Sequence, residues 1–267
     1  MSTVGVLGVG NMGRALVKGW LLPGQPARSI RVYDKDAQRA RAVAGELGEK
    51  VTAVEDPGQV ARGADAVLVA VKPQDMEGAL RALRGATGAE LAVVSTAAGL
   101  SLERLRALLG PGPALFRIMP NLAVALGEGV VAVAAEPAAA PERVEEVASL
   151  FSAMGVVRVL PESLFNAVTA VTGSGPGFMA LVLEGLEDGA VRVGMPREVA
   201  RSFVRQMALG TSRLLVGDEG SAAELKDRVS SPAGTTTAGL AVLEDKAVRG
   251  AFIRAIEAAV QRGRELA

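Results

Sequence analysis

A strand-like run, Val4–Leu7, ends in Gly8-Val9-Gly10-Asn11-Met12-Gly13 and passes directly into a helix-like stretch. No other feature restricts the fold of this chain so tightly. Glycines at this spacing carry little information alone, but a strand before them and a helix after them give the pattern a physical meaning. Gly8 permits a tight turn, Gly10 leaves the backbone open to a pyrophosphate, and Gly13 lets helix and strand pack closely. The helix start then offers free amides and the positive end of its dipole to phosphates. Gly8, Gly10, Asn11, Met12 and Gly13 are therefore expected to cradle a dinucleotide.

Asp34 lies 21 residues beyond Gly13, at the end of the next strand-like run. A carboxylate there would bond the ribose 2′-hydroxyl of NAD and repel the 2′-phosphate of NADP. Lys35 and Arg39 are near enough to soften that repulsion. NADH is expected to be used well, with NADPH accepted too.

Buried parallel strands are predicted at Val4–Gly8, Ile30–Asp34, Ala66–Val71, Leu91–Ser95 and Leu115–Met119. Helix-like stretches alternate with them at Met12–Leu22, Ala37–Leu47 and Leu102–Leu109, with Asp36 and Ser101 as N-caps of the last two. Two more strands, Val130–Ala134 and Val156–Leu160, flank a helix at Pro141–Phe151. This is the pattern of an α/β fold with a doubly wound, Rossmann-type sheet. After Pro161 strand signals stop. Ala/Leu/Val-rich helical patterns follow, broken at Gly173–Pro176, Gly194–Pro196 and Gly217–Ser221, then by an irregularity near Gly250. A dinucleotide-binding domain over 1–160 and an all-α domain over 161–267 are expected. Several of the later helices are apolar on more than one face, which points to burial against a second subunit.

The chain has 267 residues, a formal net charge of zero, and neither cysteine nor histidine. Disulfides and thiolate chemistry are excluded, and no metal site is expected. Zero net charge argues against nucleic acid and membrane surfaces as partners. No uninterrupted apolar run reaches the ~20 residues of a membrane span, and no signal-peptide pattern opens the chain, so a cytoplasmic protein is expected.

These absences also bear on chemistry. Reducing a carbonyl leaves an alkoxide that needs a proton donor, commonly His, a Tyr–Lys pair or Lys. Here His is missing, and the single Tyr, Tyr33, sits beside Asp34. Lys72 and Lys226 remain as donors, although Lys72 is read first as a solvated or phosphate-facing lysine. A protonated cyclic imine carries its own proton, so its reduction needs orientation and a dry site more than an acid. A hydroxyl-rich segment, Ser230-Ser231-Pro232-Ala233-Gly234-Thr235-Thr236-Thr237, precedes the last helical stretch. Its amides and hydroxyls would suit a small carboxylate.

From end to end the sequence resembles the pyrroline-5-carboxylate reductases. The resemblance rests on Gly8–Gly13, Ala-Val-Lys-Pro at 70–73, Ser-Thr-Ala-Ala-Gly at 95–99 and Arg117-Ile-Met-Pro-Asn121. It continues through Gly173-Ser-Gly-Pro176 and, most specifically, Leu225-Lys-Asp-x-Val-Ser-Ser-Pro-x-Gly-Thr-Thr236. It implies hydride transfer from NAD(P)H to the C=N carbon of 1-pyrroline-5-carboxylate. Thr236 would then bond the imine nitrogen, and Ser231 with the amides of Gly234 and Thr235 would hold the carboxylate. Glu219, Glu162 and Thr169 would lie near substrate. Ala70, Val71, Lys72, Pro73, Ala98 and Asn121 would line the ribose and nicotinamide side. An intertwined homodimer or larger homo-oligomer, built through the C-terminal helices, is also implied. Two departures stand out: Leu122 and Ala123 follow Asn121 where Thr-Pro is usual, and Ala233 replaces a glycine. Arg117 is either a structural ion pair or a substrate or cofactor contact. A 3-hydroxyacid dehydrogenase of similar layout and a non-catalytic dinucleotide sensor remain as alternatives.

Overall fold

The computed structural model describes residues 1, 3–24, 29–84, 91–217 and 220–266. Two compact units emerge: Met1–Gly173 with Ala259–Ala267, and Ser174–Ala258.

In the first unit the strands are β1 (Thr3–Leu7), β2 (Ser29–Tyr33), β3 (Val51–Ala53), β4 (Ala66–Val69), β5 (Ala92–Ser95), β6 (Ala114–Pro120), β7 (Gly129–Ala135) and β8 (Gly155–Val159). They form one sheet in the order β3-β2-β1-β4-β5-β6-β7-β8. Neighbours run parallel except for the antiparallel pair β6–β7. The helices are α1 (Asn11–Trp20), α2 (Ala37–Leu47), α3 (Met76–Leu83), α4 (Leu102–Leu109), α5 (Pro141–Ser149) and the short α6 (Phe165–Val168). The alternation of side chains along apolar strands feeds two cores, one on each face of the sheet. Val4, Val6 and Leu68 join Leu16, Trp20, Val43 and Phe151 in one core. Leu7, Val67 and Val69 join Leu80, Leu105 and Phe165 in the other. Asp36 and Ser101 cap α2 and α4, their side chains accepting from Arg39 and Arg104 amides.

The chain order reverses between β1 and β4, which places a crevice beyond their carboxyl ends. β3 was not expected. At three residues it is too short for its burial pattern to register in the sequence. The predicted strand over Ala66–Val71 stops at Val69, and Ala70 and Val71 belong to the turn that follows.

The strands end with β8 at Val159, yet the first unit runs on through α6 and a π-helical turn, Thr169–Gly173. It also takes in the end of the last helix, where a Cβ on Gly263 would lie 3.2 Å from Asn166 Oδ1.

The second unit is helical: α7 (Gly175–Arg192), α8 (Arg197–Gly217), α9 (Ala222–Arg228), α10 (Thr235–Asp245) and most of α11 (Val248–Glu265). Between α7 and α8, Glu187 pairs with Arg205 at 3.4 Å. The expected irregularity near Gly250 falls instead at Ala247, whose φ of +52° closes α10 and reorients the chain into α11. Nothing in Asp245-Lys246-Ala247 signals such a turn.

Short apolar runs that look separate in the sequence join into one helical stretch, Glu162–Arg192. By length and composition alone it is long and apolar enough to cross a membrane. It bears Glu184, Glu187, Asp188 and Arg192 in its later turns. Phe165 and Ala170 are buried, but along α7 apolar side chains such as Leu181 stand exposed rather than packed in a core.

Candidate functional site

The glycine turn joins β1 to α1 in the conformation its residue types predict. Gly8 has a φ of +91°, and a Cβ there would lie 2.7 Å from the Ala70 carbonyl. A Cβ on Gly13 would come within 2.0 Å of the Gly8 carbonyl, so only glycine lets α1 begin this close to β1. Gly10 differs: a Cβ there would meet nothing within 4 Å. It faces open space, at the start of a helix with no side-chain cap and no acidic residue in its first turn. Asn11 and Met12 form that first turn. These residues fit a dinucleotide pyrophosphate: open backbone, uncapped amides and a positive dipole end. Nearby, Arg14 and Lys18 contact Glu46 at 2.5 and 3.1 Å. First Arg14 and then Lys18 hold the Glu46 carboxyl below its ordinary pKa.

Asp34 is where the spacing predicts, but its carboxylate turns inward. It is only 6% exposed. Oδ2 accepts the Val9 amide at 2.9 Å, and Oδ1 accepts the Asp36 amide at 3.0 Å and Arg39 Nη1 at 3.1 Å. Asp34 thus pins the glycine turn to the end of β2. Lys35, beside it, pairs with Asp75 at 2.8 Å.

The other expected cofactor residues follow the ends of neighbouring strands. Ala70 and Val71 extend from β4, and Lys72 precedes a 3₁₀ turn that starts at Pro73. Lys72 is exposed. Ala98 stands exposed in the loop between β5 and α4. Asn121 follows β6, where its Oδ1 accepts the Val130 amide at 3.1 Å. The departing residue Leu122 is exposed and opens a 3₁₀ turn, Leu122–Leu126, in which Val124 is buried.

Glu162 and Thr169 are engaged within the first unit. Thr169 Oγ1 donates to the Phe165 carbonyl. Glu162 Oε1 accepts from Arg117 Nη1 and from the Leu102 amide, both at 2.8 Å. Of the two roles open to Arg117, the structure shows an ion pair. The guanidinium also lies 5.0 Å from the Phe165 ring centroid, and its Nε donates to the Ala97 carbonyl at 3.3 Å. A cavity of about 260 Å³ adjoins this pair, lined also by Gly99, Ser101, Ser163, Phe165 and Asn166. Residues 117 and 162 are too far apart in sequence for any motif to have signalled these contacts.

In the second unit, Ser231, Gly234, Thr235 and Thr236 come together at the start of α10. Ala233 has a φ of +57°, the left-handed region that the family's usual glycine suits. A Cβ on Gly234 would lie 2.2 Å from Ser231 Oγ, so any larger residue there would turn the Ser231 hydroxyl aside. Gly234 also N-caps α10 without a side-chain hydrogen bond, which leaves the first amides of the helix open. Thr237 Oγ1 is tied to the Ser231 carbonyl at 2.7 Å. No hydrogen bond occupies the Thr236 hydroxyl among the described residues. Glu219 lies outside the described residues.

The segment carrying this turn, residues 162–266, matches the family model for pyrroline-5-carboxylate reductase dimerisation. Residues 3–99, with the glycine turn, match the model named NADP oxidoreductase coenzyme F420-dependent. The pyrroline-5-carboxylate reductase of Methanosarcina acetivorans is 36% identical, over 98% of this chain and 97% of its own length. This chain belongs to the pyrroline-5-carboxylate reductase family. A Synechocystis reductase is 42% identical over 79% of the chain and 78% of its own length. The solved pyrroline-5-carboxylate reductase of Coxiella burnetii superposes with a TM-score of 0.89 at 30% identity, covering 100% of this chain and 98% of that one.

Proposed function

We propose that this protein reduces 1-pyrroline-5-carboxylate to L-proline with NADH or NADPH. One observation carries the reading: a single chain of this family combines an open glycine cradle at α1 with an uncapped, hydroxyl-lined helix start at α10. Gly8, Gly10 and Gly13 receive the pyrophosphate, and Ala70–Pro73, Ala98 and Asn121 border the ribose and nicotinamide. When bound, the reduced nicotinamide supplies a hydride to the C=N carbon.

The chain's residues hold the ring. Ser231 with the amides of Gly234 and Thr235 receives the carboxylate, and the Thr236 hydroxyl meets the ring nitrogen. A substrate that arrives already protonated becomes a neutral amine on hydride addition, so the chain needs no histidine acid. Glu219 belongs near this loop in the same reading. Glu162 and Thr169 are tied within the first unit, to Arg117, the Leu102 amide and the Phe165 carbonyl, rather than free as substrate ligands. Residues 161–267 act as the substrate-binding and dimerisation part, and homodimers or larger rings form through its helices. The exposed apolar side chains of α7 and α8 support that assembly.

The test is direct. Purified protein is mixed with pyrroline-5-carboxylate and either NADH or NADPH, and oxidation of the nicotinamide and formation of proline are followed. Turnover with at least one cofactor is expected. Cofactor binding without turnover would overturn the reading, and NADH formation from 3-hydroxyisobutyrate would favour the hydroxyacid dehydrogenase.

A further inference from the structure

The loop between β5 and α4, residues 96–101, is held at both ends by one ion pair. At its start, Arg117 Nε donates to the Ala97 carbonyl at 3.3 Å. At its end, Glu162 Oε1 accepts the Leu102 amide, the first of α4, at 2.8 Å. Arg117 Nη1 and Glu162 Oε1 close the circuit at 2.8 Å. Between the anchors, Gly99 turns the chain with a φ of +79°, and Ala98 is exposed while Ala97 is buried.

Stability alone does not account for this arrangement. Arg117 is 6% exposed and Glu162 partly buried, and an ion pair drawn out of water is often no more stabilising than apolar side chains of the same volume. What such a pair offers is fixed direction. A planar guanidinium with its donors in a rigid fork can hold a carbonyl and a carboxylate at once in one geometry. The Phe165 ring supports the fork, and Ser95 Oγ accepts the Ala97 amide at 3.2 Å, so the loop entrance is held from both sides of its peptide. Two segments far apart in sequence thus converge on one short loop, whose one exposed alanine stands beyond the carboxyl end of β5.

We infer that the Arg117–Glu162 pair is a positioning latch that grips the 97–101 loop at both ends and so sets Ala98 against the nicotinamide end of the cofactor. The inference rests on the proposed placement of Ala98 beside the nicotinamide. Neither side chain is assigned contact with the reacting atoms. Loosening the latch therefore weakens the nicotinamide's seat and leaves the adenosine and pyrophosphate seats on β1 and α1 as they were.

Ligand pairs that differ only in the nicotinamide test this: NADH against ADP-ribose, and NADPH against 2′-phospho-ADP-ribose. Arg117→Lys keeps the cation and removes the Nε donor. Glu162→Gln keeps an acceptor for Leu102 and removes the charge. Melting temperatures confirm folding, and Glu162→Gln, the milder change, decides the matter should Arg117→Lys fail to fold. In each folded variant the Kd for NADH or NADPH is expected to rise about tenfold, the loss of roughly one charge-assisted hydrogen bond, while the Kd of the matching fragment stays within about twofold. Equal weakening of cofactor and fragment, or no change in either, would overturn the latch. Wild-type protein that binds the cofactors without reducing pyrroline-5-carboxylate would overturn the proposed function and leave the latch to be judged on binding alone. Wild-type protein that binds neither cofactor nor fragment would overturn both.

Discussion

The two units of this chain are built by opposite rules. The first buries Trp20, Phe116, Phe151 and Phe165 in cores on both faces of a sheet, and its buried polar groups, Asp34, Ser95 and Arg117, all have partners. In the second, among the described residues, only Ala200 and Val204 of α8 are buried; α7, α9, α10 and α11 bury none. Leu181, Phe203 and Val216 stand 69%, 63% and 88% exposed. A sheet with helices on both faces completes its own core. A set of helices this apolar on the outside is only part of one, and a second copy of the chain would supply the rest.

Substitutions can break or sharpen that contrast. The largest effect is expected from Gly10→Val. With nothing within 4 Å of its Cβ, the valine leaves the first unit folded but fills the pyrophosphate approach, lowering NAD(P)H affinity by about 100-fold or more at an unchanged melting temperature. Gly13→Ala should instead lower the melting temperature, because its Cβ strikes the Gly8 carbonyl; titration and thermal unfolding of both variants would separate ligand space from packing space. Next comes Thr236→Ala in the second unit, expected to slow turnover about 10²-fold with little change in NADH binding. An unchanged rate would remove Thr236 from the chemistry.

Phe203→Glu puts a charge on the exposed face of α8. On a true surface it would change stability by no more than about 0.5 kcal/mol. As part of an interface it should yield smaller assemblies in sedimentation, and an unaltered mass would mean that this face is not where copies meet. Smallest is Ala233→Gly, which relieves a left-handed alanine. A gain of up to about 1 kcal/mol is expected, or some 2–4 °C in Tm, and a lower Tm would show that the turn accommodates alanine without strain.

Much of the first unit was legible in the sequence because its signals are local. Apolar strand runs, Asp36 and Ser101 as caps, and glycines that only a tight turn requires all act within a few residues of one another. What was not legible depends on distance or on backbone state. β3 is too short to show a period. The left-handed turn at Ala247 has no glycine to announce it. The Arg117–Glu162 contact forms only once β6, α4 and the segment before α6 have come together. The hydroxyl-rich turn at Ser231–Thr236 could be found because its residue types are unusual, and the φ of Ala233 agrees with the expectation that this position prefers glycine.

The inward carboxylate of Asp34 has a practical consequence. Altering the acidic residue after the second strand is a common first move when an enzyme is to be switched from one nicotinamide coenzyme to the other. In this protein that residue fastens the loop on which either coenzyme would sit, and removing it would loosen the seat before it changed the preference. Redesign would do better to begin with Lys35, whose charge lies at the rim and whose partner, Asp75, can be exchanged without disturbing the fastening beneath.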